Sequence, residues 1–90
     1  MDSKVKISVI MPVYNAEETL IRSVQSAQHQ TLKEIEIICV NDGSKDNSLK
    51  LLEELAKEDS RIRVLSQENS GAGPARNLAL SKARGEFISF

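Results

Sequence analysis

The sequence predicts one small α/β domain, a parallel β-sheet whose strands alternate with helices in the order βαβαβαβ. Three observations lead there. Short runs rich in β-branched residues recur between stretches whose apolar residues fall at helical spacing. The runs "VKISVIMPV" and "IEIICV" are apolar with little alternation, as strands covered on both faces are. Each helical stretch also lies between two strands, which calls for right-handed crossovers and parallel pairing.

The elements follow in order. "VKISVIMPV" is the first strand, and Pro12, which has no N–H for the ladder, marks its end. "NAEETLIRSVQSAQHQ" places Leu20, Ile21, Val24 and Ala27 at helical spacing, with Asn15 as N-cap and Glu18 three residues on as a loose capping box. "IEIICV" is the second strand. "DNSLKLLEELAKED" is the second helix, with Leu49, Leu52, Leu55 and Ala56 on one stripe and Ser44 and Asp46 as cap candidates. "IRVLS" is a third, shorter strand. The loop "QENSGAG" leads to a helix opening at Pro74, whose fixed φ suits a first helical position. Leu78, Ala79 and Ala83 face inward there, and Gly85 stops the helix. "EFISF" is the fourth strand. With a doubly wound order of 3-2-1-4 it is an outer strand, so Phe87, Ile88 and Phe90 lie on an unpaired edge. Such an edge favours a homodimer through the terminal strand.

Composition excludes several functions. Twelve basic residues stand against thirteen acidic ones, so there is no positive field to neutralise phosphates, and no nucleic-acid partner is expected. At 90 residues the chain buries only roughly 60–65% of its unfolded surface. The single cysteine rules out an internal disulfide and fits a reducing, cytoplasmic location. Cys39 reads as a small buried hydrophobe and His29 as an exposed residue near a helix C-terminus. The longest apolar run, "ISVIMPV", falls far short of the roughly 20 residues of a membrane span. No His, Cys or carboxylate spacing suits a metal.

Ligands of parallel sheets bind beyond the carboxyl ends of the strands. Three polar segments leave such ends here: "PVYN", "NDGS" and "ENSGAGPARN". Tyr14 is the only tyrosine, placed where its ring can stack on a planar ligand while its hydroxyl stays wet. Glu17 lies where a helix dipole would be compensated. Asp42 ends an apolar strand and serves either as an Asx-turn acceptor for its own loop or as a ligand contact. Gly71-Ala72-Gly73 opens a helix whose N–H groups could cradle phosphate. It is not a dinucleotide fingerprint, because Arg76 occupies the place of the third small residue. Arg76, read as lying in the first helical turn, can pair with phosphate or with a nearby acid.

Together, "ISVIMPVYN", "VNDGSKDNS" and "NSGAGPARNLAL" before "ARGEFISF" closely resemble the family 2 glycosyltransferases, over essentially the whole chain. The resemblance implies that residues 1–90 form the N-terminal, Rossmann-like, nucleotide-sugar-binding half of a GT-A fold. It places the nucleotide on Pro12, Val13, Tyr14, Asn15, Glu17, Asp42 and Arg76, with Asp42 reading the base. It implies an enzyme that transfers sugar from a nucleotide-diphosphate donor, UDP-sugar first, to an acceptor hydroxyl of a sugar, lipid or other molecule, with inversion, as in polysaccharide biosynthesis. A divalent metal, magnesium or manganese, is implied for the full-length enzyme, on an acidic motif expected beyond Phe90. No catalytic residue and no metal site are expected in this chain, which alone should bind no metal and be inactive. The full-length enzyme is expected to be cytoplasmic or membrane-associated. The rival reading is a non-catalytic nucleotide-binding module.

Overall fold

A computed structural model describes residues 5–29 and 34–89. Their elements run β1 (Ile7–Val13), α1 (Leu20–Gln28), β2 (Ile35–Asp42), α2 (Ser48–Glu58), β3 (Ile62–Gln67), α3 (Ala72–Lys82) and β4 (Phe87–Ser89). The four strands form one sheet in the order β3-β2-β1-β4, and every pairing is parallel. This is the expected doubly wound order. Gln30 and Phe90, assigned above to the first helix and the fourth strand, lie outside the described residues.

Side chains alternate across the sheet with a period of two, and that alternation sorts the core. Val9, Val13, Ile35, Ile37 and Cys39 pack with Leu20, Val24, Ala27 and Leu52 of α1 and α2. Ile10, Ile38 and Val40 pack on the other face against Ala75 and Ala79 of α3. All eight residues of β2 are buried, which explains why its sequence shows no polar alternation. Burial pushes the Cys39 thiol up to about 12, so it behaves as a small hydrophobe.

Several boundaries differ from the sequence expectation. Pro12 does not end β1: it stands in register with Val40, on a stretch where β4, paired only with Ile7–Val9, no longer reaches. Asn15 is not an N-cap. It has φ +47°, and α1 begins only after Thr19. α3 opens at Ala72 rather than Pro74, with Gly71 at the N-cap. That shift moves Arg76 from the first turn into the second. Gly85 lies beyond the end of α3, where a Cβ would come within 2.6 Å of the Ser8 backbone nitrogen. Its glycine serves a close approach to β1 rather than a helix stop.

Candidate functional site

Parallel pairing delivers the carboxyl ends of β1, β2 and β3 to one edge. The loops that leave them are residues 14–19, 43–47 and 68–71: the first two are hydrogen-bonded to each other, and the third is bonded to Asp42 at the end of β2. The first two are braced mostly through backbone N–H groups. Asn15 N–H donates to Ser44 Oγ at 3.0 Å, and Lys45 N–H donates to Asn15 Oδ1 at 2.8 Å. Ala16 N–H donates to Ser48 Oγ, Glu17 N–H to Asp46 Oδ2, and Asn47 N–H to Glu17 Oε1. Asn15 and Glu17 are therefore occupied in holding loops. Asp46 also accepts from Ser48 N–H at 2.9 Å. The Ser48 hydroxyl, then the Ser48 and Glu17 N–H groups, hold the Asp46 carboxyl below its ordinary value against partial burial.

Asp42 is not an Asx-turn acceptor for its own loop. Its side chain lies on the α3 face of the sheet, because it is an even-numbered neighbour of Ile38 and Val40. It therefore turns toward the loop after β3 instead of its own loop, which is organised by Asn41 Oδ1 accepting from Ser44 N–H. Asp42 Oδ1 accepts from Gln67 Nε2 at 2.8 Å and from Ser70 N–H at 2.7 Å. Oδ2 accepts from Gly71 N–H at 2.9 Å and Asn69 Nδ2 at 3.4 Å. A carboxylate offers about four acceptor sites, and four donors converge on this one. The Gln67 amide first, then the Ser70 and Gly71 N–H groups, hold its carboxyl below the ordinary aspartate value despite burial. Gly43 has φ +69°, and a Cβ there would meet Asn69 N at 2.7 Å. The glycine after Asp42 thus lets two loops touch.

The remaining predicted residues divide by exposure. Val13 is 3% exposed and belongs to the core, so it can offer a ligand only its backbone. Pro12 is half-buried and Arg76 exposed. Tyr14, 49% exposed, presents its ring at the edge. Gln67, Asn69 and Ser70 escaped the sequence reading. Asp42 and Gln67 are partners in register, and only the sheet could reveal that.

The profile of glycosyl transferase family 2 matches residues 8–90. The chain belongs to glycosyltransferase family 2. Among family relatives, it is 45% identical over 84 residues to glycosyltransferase GlyG of Streptococcus pneumoniae serotype 4, covering 92% of this chain and 28% of that protein. Its fold superposes on residues 1–349 of S. aureus TarS, solved in complex with UDP-GlcNAc, with TM-score 0.85 and 35% identity over 93% of this chain and 25% of that one. The mannosyltransferase PcManGT from Pyrobaculum calidifontis, solved with GDP-Man and Mn2+, shares the fold at TM-score 0.86 and 22% identity, over 94% of this chain and 26% of that one. The chain spans about a quarter of the length, 24% to 28%, of three of the curated relatives it matches, GlyG among them.

For a family 2 chain, two further features of the edge matter. A depression of about 340 Å³ opens beside Asn15, Ala16, Glu17, Glu18, Thr19 and Asp46. Its carboxylates repel a diphosphate, and it excludes Tyr14, Asp42 and Arg76. Among the described residues, no three His, Cys, Asp or Glu side chains come together as a metal site. The donor set present does not fit the divalent metal that the family resemblance implies. No helix among the described residues is long and apolar enough to cross a membrane.

Proposed function

We propose that this chain supplies the nucleotide-binding part of an enzyme that transfers a sugar from a UDP-sugar to an acceptor hydroxyl with inversion. The observation that carries the reading is the braced edge itself: two loops bonded to each other and a third held by Asp42 at the strand ends, with the Tyr14 ring and Arg76 exposed beside them. The TarS complex with UDP-GlcNAc, at 35% identity, supports UDP as the first choice of donor nucleotide. In this reading Tyr14 stacks on the base, and the backbone of Pro12 and Val13 borders it. Asn15 and Glu17 hold the loop that presents Tyr14. Arg76 serves the diphosphate, with Ala72 and Gly73 N–H groups beside it. Gly71 N–H is already given to Asp42, and Pro74 has none.

Inversion follows if the acceptor oxygen attacks the anomeric carbon from the side opposite the diphosphate. The bond to the diphosphate oxygen then breaks with its electron pair, and the acceptor proton passes to an acidic base. A cytoplasmic location is part of the same proposal, in keeping with the lone buried cysteine. Calorimetric titration with UDP, GDP, CDP and ADP tests the reading. UDP should bind tightest, and tightest binding by CDP or ADP would overturn it.

A further inference from the structure

The Tyr14 ring, 49% exposed, is not wedged in the core, so the backbone on either side sets its direction. On one side Val13 is buried and stands in register with Asn41. On the other, Asn15 is bonded in both directions to the loop after β2. Its N–H donates to Ser44 Oγ at 3.0 Å, and its Oδ1 accepts from Lys45 N–H at 2.8 Å. The next two N–H groups reach the same loop, Ala16 to Ser48 Oγ at 2.9 Å and Glu17 to Asp46 Oδ2 at 3.2 Å. Three successive N–H groups converge in this way where a left-handed residue turns the chain. Asn15, with φ +47°, is that residue.

Two demands therefore meet at one position. The backbone asks for a residue that tolerates positive φ, which glycine, asparagine and aspartate do. Lys45 N–H asks for a short side-chain acceptor, which glycine lacks. Asparagine and aspartate meet both. Aspartate would also add a charge beside Glu17, Glu18 and Asp46, which line the same depression and already repel a diphosphate.

We propose that Asn15 is a positioning residue for the nucleotide base: its bonds to Ser44 and Lys45 fix the direction of the Tyr14 ring, and its neutral amide does so without adding charge near the diphosphate. Asn15 acts through Tyr14. With the carboxamide gone, Lys45 N–H turns to water and the turn after Tyr14 loosens. The ring must then be ordered at the moment of binding, which weakens stacking. The proposal rests on reading this edge as a nucleotide site with Tyr14 stacked on the base.

The chain holds one tyrosine and no tryptophan, so its tyrosine fluorescence reports Tyr14 alone. In the ligand-free 90-residue chain, Asn15→Gly should enlarge the fast anisotropy decay, which reports ring motion rather than tumbling. The amides of Ile37 and Ile38 should stay protected from exchange, showing that the sheet is intact. An unchanged decay overturns the proposal. The second measurement is affinity for uridine, which carries no diphosphate. Asn15→Gly should weaken uridine about fivefold, the low end of what stacking on an aromatic ring supplies. In a Tyr14→Ala background the same change should add nothing, because both act through one contact. A full second loss there would mean that Asn15 acts on its own, against the proposal. Asn15→Asp keeps the acceptor, so it should restore the wild-type decay and uridine affinity. It should weaken UDP about threefold, a penalty that fades at high salt. Aspartate behaving as glycine does would overturn the role of the acceptor. Ser44→Ala removes the acceptor of the Asn15 N–H and serves if Asn15→Gly fails to fold. It should enlarge the decay and weaken uridine, and leaving both as in wild type would count against the proposal. Failure of wild type to bind uridine or UDP would sink the proposed function, while the decay would still decide whether Asn15 fixes the ring.

Discussion

Replacing Glu36 by glutamine should cost about 2–4 kcal/mol of stability. The carboxyl side chain is 2% exposed. Its Oε1 accepts from Arg63 Nη1 at 2.9 Å and Arg84 Nε at 3.4 Å. Its Oε2 accepts from Ser8 Oγ at 2.6 Å and Arg84 N–H at 2.7 Å. An amide has the same shape, but whichever way it turns, its NH₂ meets donors. Losing two bonds to a charged group costs about 1.5–3 kcal/mol each. That sum is discounted because the Arg63 and Arg84 side chains are 30% and 64% exposed and can turn to water. A chain of this size has about 5–13 kcal/mol in total, so the variant would lose a large share of it. The melting point should fall by about 10–25 °C.

The pH dependence tells whether charge is the cause. Burial pushes the Glu36 carboxyl up, but the Ser8 hydroxyl, Arg84 N–H and Arg63 together outweigh it and hold it below the ordinary glutamate value. A depressed folded value means the contribution is fully present above the unfolded value and is lost as pH falls through the folded one. The gap between wild type and Glu36→Gln in urea unfolding should therefore be full near neutrality and close on acidification. A loss under about 1 kcal/mol against the expected range, or a gap indifferent to pH, would refute the reasoning.

Other outcomes follow from the same geometry. Arg76→Ala should weaken UDP about tenfold, the order of one charge-assisted contact, and uridine far less. Equal losses for the two ligands, measured by calorimetry, would make Arg76 a structural residue. Magnesium or manganese should change UDP affinity of the 90-residue chain little, and no hydrolysis or transfer of UDP-sugar should exceed background. Robust metal-dependent release of UDP would contradict both. Phe87 and Ile88 are exposed on β4, whose outer side has no partner among the described residues, and Glu86 is the nearby charge opposing edge pairing. Light scattering should show a mass that rises with concentration toward a dimer, and a strictly monomeric mass would defeat that expectation.

The chain's own pattern was enough for the element order and the sheet order. Apolar runs of strand length, helical spacing between them and the handedness of crossovers leave few alternatives. The edge where the loops meet follows from that topology, and the family followed from motifs within those loops. What the linear pattern could not carry was the partner of each polar group. Asn15 looked like a cap and Glu17 like dipole compensation, yet each bonds to the loop after β2. Asp42 offered turn chemistry for its own loop, yet it holds a loop some 28 residues further on, at Ser70. Local spacing says how a residue meets its neighbours on the same element, but these bonds depend on the register between strands and on which face each side chain takes. Register is set by packing of the whole sheet, where a slip of one residue would turn every side chain to the other face. Only the folded sheet therefore put Glu36 and Asp42 at the two ends of α3.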